Sequence, residues 1–417
     1  MKADEDSEST ISIEDDDDDK IDDLRWNKLP NLKILCISTN QDKSLLVMGT
    51  NYGYRIFDIQ NEFKLVSVVD QHQKELGPLK RVKLLYKSQL LGFLGTSDNN
   101  RFKEKCFYFY SDEYQKILSK LSFNQKILNF ELSSSLLFIC FLSNILVFEL
   151  NSMKFVHNIK HCYYNEKIFS IIEDPFNLSN KKETNINSDE TKIITICYVS
   201  SYRNEIKLQR YITNKNETLY VIKDSIKTNF KDCPSYINLL NDSKLVIVSH
   251  NGNKLHIYDY VNKKLLICLF LGKLDFSILK IDYDNKKKFL LNYFNLNQLD
   301  LYKIRDKKNP NQKFECRCNE HPDDNHQLKR RTTFEYQTSG YFPNYGGTLE
   351  PFGHGNIIHK KDVLFFNCEF DPKKKDIINL VNSKGTLISY KFNRKEPGET
   401  FQVAQTKDLI EEDINEF

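Results

Sequence analysis

Alternating apolar and polar residues, the pattern of half-buried β-strands, dominate the chain from residue 31 onward, and long helical periodicity is hard to find. The recurring unit is a short apolar run, a turn, and an alternating strand that ends in an aromatic residue. Its five clear copies are LLVMGTNYGYRIFDI from Leu45, LLFICFLSNILVFEL from Leu136, LVIVSHNGNKLHIYDY from Leu245, LLNYFNLNQLDLYKI from Leu290 and INLVNSKGTLISYKF from Ile378. Two looser copies begin near Leu90 and Ile193.

The spacing of these copies indicates a repeat architecture. They begin 45, 46, 57, 52, 45 and 88 residues apart, and four-stranded propeller blades recur about every 40 to 45 residues. The two long intervals contain polar segments, near 177–191 and 305–331, which we interpret as insertions. The pattern predicts an all-β fold, a seven-bladed β-propeller of the WD40 type. A pair of β-sandwiches is the alternative. We expect a strand near Leu29–Ile37 to complete the last blade.

Charge divides the chain into unlike parts. The net charge of the 417 residues is +3, but residues 1–23 carry −10 and the remainder carries +13. Such an acidic segment lacks the apolar surface that ordering requires. We therefore predict a disordered acidic leader at 1–23, the propeller at 24–405, and an acidic C-terminal tail at 406–417.

Several classes of protein are disfavoured by the sequence. The chain does not start like a secretory signal, and its longest apolar stretch, Ser135–Leu150, is shorter than the ~20 residues of a membrane span. The ten cysteines are scattered, which is typical of a reducing compartment. Catalytic motifs such as G-x-S-x-G, the P-loop and H-E-x-x-H do not occur, and the basic residues are interspersed with acids. We predict a cytoplasmic monomer that is not an enzyme, needs no cofactor and binds no nucleic acid.

One cluster of potential metal ligands lies in the polar segment 305–331. Cys316, Cys318, His321 and His326 form C-x-C-x2-H-x4-H, which is tighter than the spacing of common zinc modules and contains two acids. We therefore predict no metal site.

Particular segments resemble a known family. They are NQD at Asn40–Asp42, GTNYGYRIFDI from Gly49, GPLKRVKLLYKSQLLGFLG from Gly77 and the closing stretch from Ile388 to Phe401. These segments resemble the PROPPINs (WIPI or Svp1-like proteins), seven-bladed propellers of autophagy and endosomal membranes, over about residues 31 to 403. The resemblance implies a non-enzymatic scaffold that binds phosphatidylinositol 3-phosphate or 3,5-bisphosphate. It places two rim pockets on blades 5 and 6, beside a Phe-Arg-Arg-Gly motif.

The chain departs from the family at those pockets. The Phe-Arg-Arg-Gly motif falls on Leu269–Gly272, so that both arginines are replaced by apolar residues. The family's Ser-x-x-Gly-Thr-x-x-Arg falls on Ser249–His256, and Asp300 replaces a phosphate partner in blade 6. Loss of two arginines predicts an affinity lower by roughly 10² to 10⁴. The candidate lipid-binding residues are Ser249, Gly252, Asn253, His256, Gly272 and Lys273.

The resemblance also implies a protein partner. Asn40 and Asp42 match family residues implicated in docking the bridge-like lipid-transfer protein of autophagy, although NQD would equally make an Asx-stabilised turn. The family's membrane-inserting loop corresponds to 305–331, which has few large apolar residues, so we expect weak insertion. We predict a scaffold that recruits an autophagy lipid-transfer or adaptor protein and associates peripherally with preautophagosomal, endosomal or vacuolar membranes. The alternative is a lipid-independent platform for protein interactions.

Overall fold

The computed structural model describes most of the chain between residues 32 and 410. The described ranges are 32–69, 76–99, 101–161, 169–174, 191–200, 205–214, 217–228, 233–240, 244–249, 254–270, 278–284, 289–294, 298–303, 353–356, 365–374, 376–392 and 402–410. The predicted leader 1–23 and the proposed insertion at 305–331 lie outside these residues, as do residues 177–190 of the other insertion.

The described strands form seven four-stranded antiparallel sheets, each built from four consecutive strands. Sheets 1 to 3 contain β1 (Ile34–Thr39), β2 (Leu45–Thr50), β3 (Tyr54–Asp58), β4 (Lys64–Val69); β5 (Leu79–Leu84), β6 (Leu90–Gly95), β7 (Cys106–Ser111), β8 (Lys116–Ser122); and β9 (Asn129–Leu132), β10 (Leu136–Cys140), β11 (Asn144–Glu149), β12 (Phe155–Lys160).

The remaining strands follow the same order. Sheets 4 to 7 contain β13 (Phe169–Asp174), β14 (Thr191–Val199), β15 (Glu205–Asn214), β16 (Glu217–Lys227); β17 (Tyr236–Leu240), β18 (Lys244–Val248), β19 (Lys254–Asp259), β20 (Lys264–Phe270); β21 (Ile278–Asp284), β22 (Phe289–Phe294), β23 (Gln298–Lys303), β24 (Gly353–Asn356); and β25 (Phe365–Phe370), β26 (Ile377–Asn382), β27 (Thr386–Lys391), β28 (Gln402–Asp408).

The sheets are arranged in a ring. First strands of neighbouring sheets contact one another in the pairs β1 with β5, β5 with β9, β13 with β17, β17 with β21, β21 with β25 and β25 with β1. Sheets 3 and 4 are joined by a shared apolar cluster that includes Phe138 and Tyr211. Contact between the first and last sheets closes the ring, so the prediction of an all-β propeller is confirmed and the β-sandwich alternative is wrong.

The sequence repeat corresponds to the second strand of each sheet. Leu45, Leu90 and Leu136 open β2, β6 and β10, and the other four starting residues lie in β14, β18, β22 and β26. Second strands such as β10 are buried along their whole length because they lie inside the sheet and are covered on both faces. Strands of this kind appear in the sequence as continuous apolar runs.

Aromatic side chains fill the spaces between sheets. Phe107 of sheet 2 packs edge-to-face on Phe130 of sheet 3 with ring centroids 5.1 Å apart, and Phe138 meets Tyr211 at 5.8 Å. Gly92 lies beneath this layer, where an added Cβ would come within 2.7 Å of the Phe107 ring. Each sheet therefore depends on its neighbours to bury its apolar faces.

Two sequence expectations about the ends of the propeller are wrong. The N-terminal strand β1 pairs with β2 in the first sheet instead of completing the last blade, because β28 already supplies the fourth strand of sheet 7. The boundary at residue 405 is also wrong, since β28 continues to Asp408 and Leu409 is fully buried. Residues 406–410 thus belong to the propeller and not to a tail.

In the part of the chain that is described, no helix has the length and apolar character needed to span a membrane.

Candidate partner-binding surfaces

The turn after β1 contains the first pair of candidate partner-binding residues. The side chain of Asn40 donates to the Ser44 Oγ at 3.0 Å and to the Tyr86 carbonyl at 2.9 Å. Its Oδ1 accepts from the backbone N–H groups of Ser44 at 2.9 Å and Leu45 at 3.0 Å. Asn40 is 3% exposed. Its amide therefore holds the turn together and ties sheet 1 to sheet 2.

Asp42 lies in the same turn but is exposed. Its Oδ1 accepts from the Ser44 Oγ at 2.6 Å and from the Ser44 N–H at 3.2 Å. Of the two candidates, the structure leaves Asp42 accessible to a partner and buries Asn40. The Asx-stabilised turn is thus present, and a docking role for this turn stays a prediction.

Neighbouring Gln41 connects three sheets. Its Nε2 donates to the carbonyls of Leu84 in sheet 2, at 3.2 Å, and Leu132 in sheet 3, at 3.0 Å, while its Oε1 accepts from the Tyr86 N–H at 2.6 Å. These bonds fix the first turn against the inner strands of the next two sheets. The turn is consequently a rigid part of the ring.

Polar and charged side chains also join sheet 1 to sheets 6 and 7. The Lys43 Nζ lies 2.5 Å from the Asp282 Oδ1 of sheet 6, and the other oxygen of Asp282 accepts from the Phe370 N–H at 2.9 Å. Thr39 Oγ1 donates to the Glu369 Oε1 at 3.1 Å. The first turn is therefore locked to sheets 6 and 7 as well as to sheets 2 and 3.

The predicted lipid-binding residues are described in part. Ser249 is 7% exposed, and its Oγ accepts from the Lys254 N–H at 3.0 Å. His256 lies on β19, is 1% exposed, and has its Nδ1 3.5 Å from the hydroxyl of Tyr258. Gly252, Asn253, Gly272 and Lys273 lie outside the described residues. Both described side chains are enclosed by the protein, and their role in lipid binding stays a prediction.

The cluster of potential metal ligands noted in the sequence also lies outside the described residues. Cys316, Cys318, His321 and His326 fall in the range 304–352, which is not described. Within the ranges that are described, no group of three or more His, Cys, Asp or Glu side chains could hold a metal ion.

The outer strand of sheet 2 presents a surface that the sequence analysis missed. Three large apolar side chains are exposed on this strand or next to it, namely Ile117 at 41% and Leu118 at 45% on β8, and Tyr114 at 63% in the turn before it. Lys116 and Lys120, also exposed, alternate with them. We call these five residues the β8 edge, because β8 is the last strand of its sheet and, among the strands that the structure describes, none pairs with its outer side.

Local geometry explains why two consecutive apolar residues face outward. The pairing of β7 with β8 shifts register between Phe109 and Tyr110, which leaves Leu118 without a cross-strand partner. Such a bulge re-aims side chains. The Lys116 ammonium lies 5.1 Å from the centre of the Tyr114 ring, an arrangement that holds the two side chains together.

Other outer strands are less apolar on their exposed side. Among the side chains that are described, β4, β12 and β28 each have a single exposed large apolar residue. These residues are Val66, Phe155 and Val403. Contiguous exposed apolar side chains mark interaction surfaces more often than scattered ones do. The β8 edge is accordingly the strongest candidate surface.

Comparison with known proteins agrees with the fold. No family model matches the chain. It is 24% identical over 144 residues to autophagy-related protein 18 of Kluyveromyces lactis, covering 34% of this chain and 28% of that protein. It is 27% identical over 125 residues to autophagy-related protein 18e of Arabidopsis thaliana, covering 30% of this chain and 33% of that protein. The chain thus matches about a third or less of the length of these curated relatives.

Solved structures resemble the whole propeller. Kluyveromyces lactis Hsv2 superposes with a TM-score of 0.63 at 13% identity, over 91% of this chain and all of that one. KlAtg21, solved in complex with the coiled coil of AgAtg16, superposes with a TM-score of 0.58 at 12% identity, over 90% of this chain and 99% of that one. At such low identity these likenesses show the fold.

Proposed function

We propose that this chain, a member of the PROPPIN family of β-propellers, is a non-enzymatic scaffold of autophagy that recruits protein partners through the β8 edge. In this proposal its seven sheets are the blades of one seven-bladed ring. The observation that carries the proposal is the exposure of Ile117 and Leu118 on the outer strand β8 and of Tyr114 in the turn before it. The named relatives are autophagy proteins, and one similar structure holds a coiled-coil partner, which supports this class of function.

The chemistry of the β8 edge selects the kind of partner. Apolar side chains provide binding energy when they are buried, and Lys116 and Lys120 attract acidic groups. A partner segment with apolar and acidic residues in alternation would match both features.

Phosphoinositide binding at autophagic or endosomal membranes is a weaker part of the proposal. The two arginine positions of the motif are occupied by Phe270 and Leu271, and Ser249 and His256 are buried in the described structure. These observations favour a scaffold that depends more on its protein partner than on a lipid headgroup.

The partner proposal is tested by equilibrium binding of the full chain to the purified coiled coil of AgAtg16. We expect I117D/L118D to weaken binding at least about ten-fold, since it removes the apolar centre of the surface. Val403→Asp is the matched control because Val403 is 60% exposed on β28, another outer strand. Equal binding by both variants would overturn the assignment to the β8 edge, and no binding by the unmodified chain would overturn the partner class.

Lipid binding is tested separately by sedimentation with vesicles. Vesicles that contain phosphatidylinositol 3-phosphate are compared with vesicles that contain phosphatidylinositol. Selective sedimentation that is lost in S249A/H256A would support the predicted pocket. Equal sedimentation with both lipids would support the lipid-independent platform.

A further inference from the structure

Closure of the ring takes place between sheets 1 and 7, which share no strand. Apolar side chains from both sheets form one cluster across this junction, which we call the seam. Its members include Ile34 and Phe57 of sheet 1 and Val381 and Leu387 of sheet 7, all at most 6% exposed. Among the described strands, no backbone pairing crosses the seam. Its stability therefore depends on side-chain packing, on side-chain hydrogen bonds such as that from Thr39 to Glu369, and on the segment that covers its end.

The last outer strand contributes little to that packing. Residues 402–406 at the start of β28 are exposed. The chain then turns inward, and Leu409, the first residue after the strand, is fully buried in the cluster of the seam. The C-terminal end of the propeller thus returns from the rim to the interior.

Three hydrogen bonds hold this returning segment. The Leu409 N–H donates to the Gly385 carbonyl of sheet 7 at 3.0 Å. The Ile410 N–H donates to the Asp408 Oδ1 at 2.9 Å, and the Arg55 Nη1 of sheet 1 donates to the Ile410 carbonyl at 3.2 Å. Arg55 is 6% exposed. Two consecutive residues are therefore bonded to both sheets of the seam.

Gly385 leaves room for the contact between Ile410 and the turn that joins β26 to β27. Its φ is +82°, a conformation that favours glycine, and an added Cβ would lie 2.6 Å from the Ile410 Cγ1 and 3.4 Å from the Ile34 Cδ1. The turn between β26 and β27 therefore provides both the backbone conformation and the space that the returning segment needs.

We propose that Leu409 and Ile410 form a C-terminal clasp that holds the ring closed in place of a shared strand. The clasp lies just past the last strand, so withdrawal of the C-terminus removes it without breaking any strand pairing. A partner or protease that engages the C-terminus therefore opens the seam between sheets 1 and 7 selectively. The clasp makes the closure of the propeller a switchable contact.

Two truncations test the clasp. The chain ending at Asp408 lacks it, whereas the chain ending at Ile410 keeps it and serves as the matched control. Native-state hydrogen exchange is followed in β1 and β27, with β18 as an internal reference distant from the seam. We expect exchange in β1 and β27 to rise at least about ten-fold in the shorter chain, with β18 unchanged.

Leu409→Ala and Gly385→Ala keep the proposal testable if the shorter chain does not fold. Both variants should raise exchange in β1 and β27 relative to β18, because one removes the buried side chain and the other displaces Ile410. Unchanged exchange in the shorter chain, or in both point variants, would overturn the proposal. A uniform rise that includes β18 would also overturn it, since that result indicates general destabilisation and not an opening of the seam.

Discussion

Replacing Asn40 with alanine should destabilise the propeller far more than replacing Asp42. The change removes the partners of the Leu45 N–H and the Tyr86 carbonyl, while the Ser44 N–H keeps its bond to Asp42. Each buried polar group that loses its partner costs about 1 to 2 kcal/mol at a partly buried turn, which gives about 2 to 4 kcal/mol in total. For a chain of this size the loss lowers Tm by about 2 to 5 °C.

Asp42→Ala is the matched control at the same turn. Ser44 then keeps both of its bonds to Asn40, so the free energy of unfolding should fall by less than about 1 kcal/mol. Thermal unfolding followed by circular dichroism compares the two variants. The reasoning is refuted if Asn40→Ala melts within about 1 °C of the unmodified chain. Weaker binding of an autophagy lipid-transfer protein by Asp42→Ala, at unchanged Tm, would instead support a docking role for the turn.

Three further perturbations test the packing, charge and titration of the ring. Gly92→Ala should cost about 1 to 3 kcal/mol in urea unfolding because its Cβ would meet the Phe107 ring at 2.7 Å, and an unchanged midpoint would contradict that contact. Lys43→Met should cost about 1 to 2 kcal/mol, because it leaves the largely buried Asp282 without its 2.5 Å ion pair, and a neutral effect would contradict a net stabilising role for the pair. Burial and the hydrogen bond to an aspartate raise the pKa of Tyr54, so stability should be complete below the ordinary tyrosine pKa of about 10 and fall as the pH rises above it. Urea unfolding at pH 8 and pH 11 should show a smaller alkaline loss of stability in Tyr54→Phe than in the unmodified chain, and an equal loss in both would contradict the prediction.

The second strands of the sheets could be predicted because a strand that is buried on both faces appears in the sequence as a continuous apolar run. Runs such as those from Leu45 and Leu136 are apolar without interruption, and they became the second strands of their sheets. The closure was not predictable in the same way. The residues of β28, QVAQTKD, show little apolar character because the strand is exposed, so its sequence is typical of a tail. Leu409 is buried against residues of sheet 1 that lie more than 350 residues earlier in the chain, and a local sequence pattern does not show such a contact.

The sequence did not predict which side chains of the candidate sites are exposed to solvent. A family motif predicts which positions hold functional residues, but it does not predict their burial. Asn40 and His256 are both buried in this structure, whereas Asp42 is exposed. His256 lies between Leu255 and Ile257 in a strand covered on both faces, which leaves its ring inside the sheet packing. The β8 edge was missed for the converse reason. Its sequence KILSKLS looks like an ordinary alternating strand, and its exposure follows from its place at the rim of the sheet and from the bulge beside Leu118.

The lysines of the β8 edge have a second consequence for specificity. An unpaired strand with exposed apolar residues can pair with another copy of itself, and edge lysines are a common protection against this pairing. If two copies met along β8, Lys116 and Lys120 of each copy would be brought beside the lysines of the other, and their repulsion would oppose the contact. The same charges favour an acidic strand at the same place. In the proposed function, the β8 edge therefore combines attraction for an acidic partner with repulsion of a second copy, and this combination allows an apolar docking surface to stay exposed.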